Sequence, residues 1–195
     1  MSNYELWMIE GDYGSGKTLF MVMVASLIYE SFNKVYANFK LKNIPNFEYI
    51  KDINEFSIGS LEENSLLCIS EAHRYMDRRE AIKPKNIKTT QKLQEIRKGK
   101  YFILADIFKI GMLDFRFTDI TSLTIKALGS IDKEHIDSDY FPYFRYKIGI
   151  WIRELQDAFY LDSSLLINMT EFMTNYDTYE QIGKTRTLKN FGFKE

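Results

Sequence analysis

Glu5-Leu6-Trp7-Met8-Ile9-Glu10-Gly11-Asp12-Tyr13-Gly14-Ser15-Gly16-Lys17-Thr18 opens as a short apolar run and passes into a turn carrying three glycines. Lys17 to Ser31 then continues with almost no polar face, so the order is strand, loop, helix. Within it, Gly11 to Thr18 fits G-x-x-x-x-G-K-[ST], and each position has a task once a triphosphate lies in the loop. Gly11, Gly14 and Gly16 permit backbone shapes closed to other residues, so the N–H groups of Gly14, Ser15, Gly16, Lys17 and Thr18 can turn inward around phosphate oxygens. The helix beginning here adds its positive end. Lys17 reaches the β and γ phosphates as a point charge, and the Thr18 hydroxyl is placed for a bridging magnesium ion. Phe20, one turn in, completes the expected cofactor-binding set.

Beyond the loop, Val35-Tyr-Ala-Asn-Phe-Lys-Leu reads as a second strand and Asn43-Ile-Pro-Asn as a loop. A short helix fits residues 53–58. Leu66-Leu-Cys-Ile is wholly apolar, as in a strand covered on both faces, and it ends at Ser70-Glu71. Residues 86–98 are helical by composition, with Gly99 as a C-terminal cap before the strand Tyr101-Phe-Ile-Leu-Ala. Further strands are predicted at 122–128 and 143–153, an acidic loop at 131–139, and a helix at 170–182. Strands alternating with helices over the first 130 residues predict an α/β fold with a mostly parallel central sheet flanked by helices. We read residues 1–195 as one domain, with a core over about 1–130 and a C-terminal extension over 131–195.

Composition excludes whole classes. Hydrophobic residues make up 45% and charged residues 27%, with only 10 Gly and 3 Pro in 195 positions, so collagen, low-complexity and disordered chains are ruled out. The single cysteine, Cys68, cannot form an internal disulfide and sits in an apolar run, which fits a reduced, cytoplasmic setting. The longest nearly apolar stretch, Leu19 to Tyr29, is too short for a membrane span, and the first residues carry no basic signal-peptide region. With two histidines, His73 and His135, and Cys68 inside a strand, zinc has no coordination set.

The net charge of −1 conceals an uneven distribution. Residues 71–100 hold ten basic and four acidic side chains, +6, against −7 for the rest. Such a segment is either a solvated helix face or an electrostatic footprint for phosphates. Arg78, Arg79, Lys83, Lys85 and Lys88 are the candidate contacts to a DNA backbone, without base reading.

A nucleotide hydrolase needs a strand-end carboxylate near magnesium and a group that positions the attacking water. Glu71 suits the second task. The first falls on Ser70, where an aspartate is expected; a serine can hydrogen-bond a magnesium-bound water but supplies no charge. Asp106, on the strand after residue 101, is a polar residue able to supply the carboxylate that Ser70 lacks.

These residues together resemble the FtsK/HerA-type P-loop ATPases, above all the small packaging or genome-mobilising ATPases of archaeal viruses and plasmids, and more distantly zonula occludens toxin proteins. The resemblance rests on Ile9-Glu-Gly-Asp-Tyr-Gly-Ser-Gly-Lys-Thr-Leu, Val35-Tyr-Ala-Asn-Phe-Lys-Leu, Ser70-Glu-Ala-His-Arg-Tyr-Met-Asp-Arg-Arg, and Leu93-Gln-Glu-Ile-Arg-Lys-Gly-Lys followed by Leu113-Asp-Phe-Arg116-Phe. It implies a RecA-like P-loop NTPase that binds ATP and Mg2+ and works as a homo-oligomeric ring, a hexamer, on double-stranded DNA, with capsid or virion proteins as further partners. It also implies a trans-acting arginine, with Arg116 first and Arg97 second. The polar sensor usual in the family falls here on Phe108. The expected catalytic set is thus Lys17, Glu71 and Arg116, with Thr18 and, through water, Ser70 at the metal.

The leading expectation is an ATP-dependent DNA translocase that packages or mobilises a genome. Its alternatives are a zonula occludens toxin-like phage assembly ATPase, a type that usually continues into a membrane span, and a nucleotide-binding protein that has lost turnover. A small-molecule kinase shares the loop, but the arginines here cluster after Ser70 rather than in a lid.

Overall fold

The computed structural model describes residues 5–51, 61–76, 100–113, 115–130, 143–152, 154–155 and 157–175. Nine strands form one sheet in the order β3-β2-β4-β5-β1-β6-β7-β8, with β9 also pairing with β7. They are β1 (Glu5–Glu10), β2 (Lys34–Ala37), β3 (Phe47–Tyr49), β4 (Ser65–Ile69), β5 (Phe102–Ile107), β6 (Leu123–Ser130), β7 (Tyr143–Ile152), β8 (Asp157–Tyr160) and β9 (Leu165–Asn168). Strands β1 to β6 pair in parallel, and β7, β8 and β9 add antiparallel neighbours beyond β6. The stretch read as a C-terminal extension therefore contributes three strands to the same sheet.

Alternation along the central strands divides the core in two. Ile9, Leu66, Cys68, Leu104 and Ile125 face helix α1 (Lys17–Ile28), while Met8, Leu67, Ile69, Ile103, Ala105 and Ile107 face the opposite side. α1 is apolar because seven of its twelve residues, Leu19 to Ala25, are buried between the sheet and later elements. Each such aliphatic side chain contributes about 1.5–3 kcal/mol, so a charge at Val22, which is fully buried, would break the element. The helix was expected to reach Ser31. It ends at Ile28 and tightens into a 3-10 turn over Tyr29–Ser31.

Three strands escaped the sequence reading. β3 is only three residues long and follows the proline loop, yet it extends the parallel sheet beside β2, with Val35 opposite Phe47. β8 and β9 have four residues each and lie at the antiparallel end. α2 (His73–Met76), α3 (Phe115–Thr118) and α4 (Thr170–Met173) are single turns; α4 begins where a helix to residue 182 was expected, and its continuation lies outside the described residues. The helices expected over 53–58 and 86–98 and the loop over 131–139 also lie outside them.

Candidate nucleotide site

Between β1 and α1 the chain turns through Gly11 at φ 155°, Gly14 at φ 74° and Gly16 at φ 89°. Two of these glycines are required by their surroundings as well. A side chain on Gly11 would meet the Ala127 carbonyl at 2.6 Å, and one on Gly16 would meet the Phe144 ring at 2.5 Å and the Tyr146 hydroxyl at 2.8 Å. Gly16 is the N-cap of α1, and no side chain caps the helix, so its first N–H groups and positive end are left for a ligand. The Phe20 N–H closes the first helical turn on the Gly16 carbonyl at 2.9 Å, and the Tyr146 hydroxyl donates to the same oxygen at 3.0 Å.

Lys17 folds back onto the loop, donating to the carbonyls of Gly11 (2.9 Å) and Asp12 (2.8 Å). Burial pulls its ammonium below the usual lysine range, opposed by the charges of Asp106, Asp12 and Glu71. The Ser15 hydroxyl is buried and has no hydrogen-bond partner among the described residues. A polar group in that state costs free energy until an acceptor reaches it, and a phosphate oxygen in the loop would be one. Phe20, expected beside the nucleotide, is only 6% exposed; its ring packs on Tyr146 at 4.7 Å, in the core behind the loop. The reason is its place one turn inside an apolar helix, on the face turned to the sheet.

On one side of the loop lies a cavity of about 520 Å³, lined by Glu10 to Ser15, Phe108, Lys109 and the end of β6 from Lys126 to Ser130. Its size suits a small organic ligand. Tyr13 and Phe108, at 80% and 42% exposure, face each other there at 5.8 Å. Phe108 therefore makes no polar contact through its ring at the position where a polar sensor was expected; its carbonyl accepts the Gly11 N–H at 3.3 Å.

On the other side the chemistry gathers around Asp106. Its Oδ2 accepts from the Thr18 hydroxyl at 2.8 Å and from the Ser70 hydroxyl at 3.0 Å, and its Oδ1 accepts from the Glu71 N–H at 2.8 Å. Asp106 is fully enclosed, and burial pushes its carboxyl above the ordinary range against the pull of those three hydrogen bonds and of Lys17. Glu71 sits in the left-handed region at φ 54°, an uncommon backbone for a non-glycine residue, and its carboxylate pairs with Arg74. Asn38, just past β2, holds Ser70 from the other side, donating to its carbonyl at 2.8 Å and accepting its N–H at 2.7 Å.

The structure thus brings together Gly11, Gly14, Ser15, Gly16, Lys17, Thr18, Ser70 and Glu71. It adds Asn38 and Tyr146, which sequence reasoning missed as site residues: Asn38 stood inside a motif without a role, and Tyr146 was one aromatic among many. Arg116 lies in α3, whose Phe117 is buried on the sheet face opposite α1; the Arg116 side chain lies outside the described residues. Arg78, Arg79, Lys83, Lys85, Lys88 and Arg97 lie outside them too.

The donor set suits magnesium. The Thr18 hydroxyl and the Asp106 carboxylate offer oxygen donors, the Ser70 hydroxyl donates to that carboxylate, and among the described residues no group of three or more His, Cys, Asp or Glu forms an all-protein cage. Magnesium is commonly held by one or two carboxylates, with substrate phosphates and water completing its shell. Cys68 is buried, and desolvation pushes its thiol far up, so it is neither ligand nor nucleophile.

No protein-family model matches the chain, and no curated protein matches it. Solved structures do. The N-terminal domain of zonular occludens toxin from Neisseria meningitidis superposes with a TM-score of 0.62 at 19% identity, over 89% of this chain and 99% of that one. The genome packaging NTPase B204 from Sulfolobus turreted icosahedral virus 2 gives 0.53 at 12% identity in complex with sulfate, over 85% and 99% of the two chains. Its complex with ATP-gammaS gives 0.51 at 12%, over 85% and 100%. The expected fold, an α/β fold with a mostly parallel sheet flanked by helices, is therefore correct. Of these two proteins the toxin domain, expected as the more distant, superposes better. No helix among the described residues is long and apolar enough to cross a membrane.

Proposed function

We propose that the protein hydrolyses ATP and uses the energy to move double-stranded DNA through a homo-oligomeric ring, a hexamer, in packaging or mobilising a viral or mobile-element genome. The observation that carries the hydrolytic part is the buried Asp106 carboxylate, which joins the loop's Thr18 to the Ser70-Glu71 strand end. Burying a carboxylate at that place is costly, and a nucleotide-bound cation is the chemistry that offsets it.

In this reading the phosphates replace the Gly11 and Asp12 carbonyls as partners of Lys17, and Lys17 balances charge on the β and γ groups. Mg2+, bound with ATP, would supply positive charge against the developing phosphate charge. Glu71 orients a water and accepts its proton as the oxygen attacks the γ phosphorus; the bond from that phosphorus to the bridging oxygen breaks, leaving ADP and phosphate. Glu71 must first part from Arg74, which gives the site a resting state. Arg116 of a neighbouring copy supplies the charge that completes the site only when subunits pack. The +6 segment carrying Arg78, Arg79, Lys83, Lys85 and Lys88 supports a sequence-independent grip on DNA phosphates, and the packaging role of B204 supports the same direction. Capsid or virion proteins are the further partners, and the host cytoplasm, where the DNA lies, is the place of action.

A second reading, an assembly ATPase for phage export, is favoured by the higher TM-score to the toxin domain. Steady-state ATP hydrolysis with Mg2+, with and without duplex DNA and with Lys17→Ala as control, separates them. Turnover that rises with DNA, with affinity for DNA falling as salt rises, supports the translocase. Turnover indifferent to DNA overturns it in favour of the second reading, and nucleotide binding without turnover overturns both in favour of a nucleotide-gated binding protein.

A further inference from the structure

We infer that Asp106 is the protein's magnesium-coordinating carboxylate, so that the acidic function missing from the end of β4 at Ser70 is carried by the neighbouring strand β5. The inference rests on the reading of the loop as a nucleotide site and specifies how that site holds its metal.

Strand register puts the two residues side by side. Ile69 lies opposite Ala105 in the parallel β4–β5 ladder, so the next step brings Ser70 level with Asp106. Alternation aims both at α1: Leu66 and Cys68 on β4 and Leu104 on β5 pack in the cluster that contains α1, and Ser70 and Asp106 continue those rows. The strand order then decides which can reach the loop. β5 lies between β4 and β1, and Asp106 is directly opposite Ile9 of β1, two residues before Gly11. A carboxylate on β5 is therefore one strand nearer the loop than one on β4. The 2.8 Å hydrogen bond from the Thr18 hydroxyl to Asp106 Oδ2 shows that the two side chains converge.

Burial supplies the second argument. Asp106 is 2% exposed, and among the described residues no basic side chain lies within salt-bridge distance of it. Three hydrogen bonds satisfy its lone pairs but bring no opposite charge. Lys17 acts on it from beyond ion-pair contact, and a carboxylate buried with no cation in contact is rare outside metal sites. Its two oxygens are differently employed: Oδ1 holds the Glu71 backbone, and Oδ2 receives only the two hydroxyls, one of which, Thr18, is the loop's own metal-binding residue. With a magnesium ion at Oδ2 the two hydroxyls would turn their protons away, while the Glu71 N–H would keep its bond to Oδ1. Ser70 then positions Asp106 or a metal-bound water rather than holding the ion itself.

The test is the affinity for ATPγS, measured by calorimetry in EDTA and in Mg2+, for the wild type, Asp106→Asn, Ser70→Ala and the exchange variant Ser70→Asp/Asp106→Ser. Asparagine keeps the shape of the side chain and the acceptor for the Glu71 N–H; its Nδ2 donates where Oδ2 accepted, and the Thr18 and Ser70 hydroxyls can turn to accept from it, so the main change is the loss of charge. The expected result is that the gain in affinity from Mg2+ falls roughly ten- to hundredfold in Asp106→Asn and stays within about threefold of wild type in Ser70→Ala. It recovers in part in the exchange variant. Affinity in EDTA stays close to wild type in Asp106→Asn, which shows that the loop is intact. If Asp106→Asn keeps the full magnesium gain, or Ser70→Ala loses it equally, the inference is overturned. A wild type that binds ATPγS with no metal effect overturns it alone, whereas one that binds no nucleotide overturns the reading of the site as well.

Discussion

Asn38 and Ser70 are hydrogen-bonded twice, through the Asn38 side chain to both backbone groups of Ser70, at 2.7 and 2.8 Å. The backbone ladder of β2 stops at Ala37, and the asparagine amide continues it for one more residue beside β4. This fixes the strand end from which Glu71 departs in its left-handed conformation. Asn38→Ala leaves two polar groups of a residue only 2% exposed without partners, so unfolding free energy is expected to fall by about 1–3 kcal/mol. Denaturant titration measures the loss, and a matching fall in turnover with unchanged ATPγS affinity would locate the damage at Glu71.

Gly16→Ala is expected to be far worse than Gly14→Ala. The new methyl group would collide with the Phe144 ring and the Tyr146 hydroxyl, and φ 89° is strained for any side chain. A thermal melt should show a loss of about 1–3 kcal/mol, with nucleotide binding weakened in parallel. At Gly14 a side chain meets nothing within 4 Å, so Gly14→Ala should cost only the backbone strain.

Glu71→Gln should leave nucleotide binding nearly intact and lower turnover by about 10²–10⁴-fold, as expected for loss of a general base. Single-turnover hydrolysis of bound ATP distinguishes this from a binding defect. Arg74→Ala removes the ion pair that holds Glu71 and should not lower turnover.

The nucleotide-free protein should gain stability from Asp106→Asn at neutral pH. Burial raises the carboxyl's pKa on folding, so between the ordinary aspartate value of 3.8 and its raised value the folded chain binds more protons than the unfolded one. Stability of the wild type therefore falls as pH rises through that window, and the asparagine variant, lacking the charge, escapes the loss. Lys17 and the Glu71 backbone face the same carboxyl and are unchanged by the substitution. The advantage should be roughly 0.5–2 kcal/mol at pH 7 and shrink on acidification; melts across the pH range check it. A variant less stable than wild type at pH 7 would assign Asp106 a structural role instead.

The loop, the strand before it, the helix after it and the polar end of β4 were legible because each carries a local signal: fixed glycine spacing, an apolar run, a break to Ser-Glu. Asp106 was legible as a polar residue on an apolar strand, but its pairing with Thr18 needed the register and the strand order, which no local pattern encodes. Tyr146 was hidden for another reason. It comes from a strand 130 residues after Gly16 and is one of 13 tyrosines, and only the antiparallel pairing of β7 with β6 brings it beneath the loop. β3, β8 and β9 were missed because three or four residues are too few to display a period.

The contact between Tyr146 and Gly16 bears on how this protein can be cut down for study. A piece ending at residue 130 keeps every motif of the nucleotide site, yet it strips the hydrogen-bonding partner from β6 and the buried ring from beneath Gly16. What remains is a long unpaired strand edge next to a loop without its floor, the kind of surface on which chains stack and precipitate. The smallest soluble nucleotide-binding fragment should therefore extend at least through β7, about twenty residues past the end of β6.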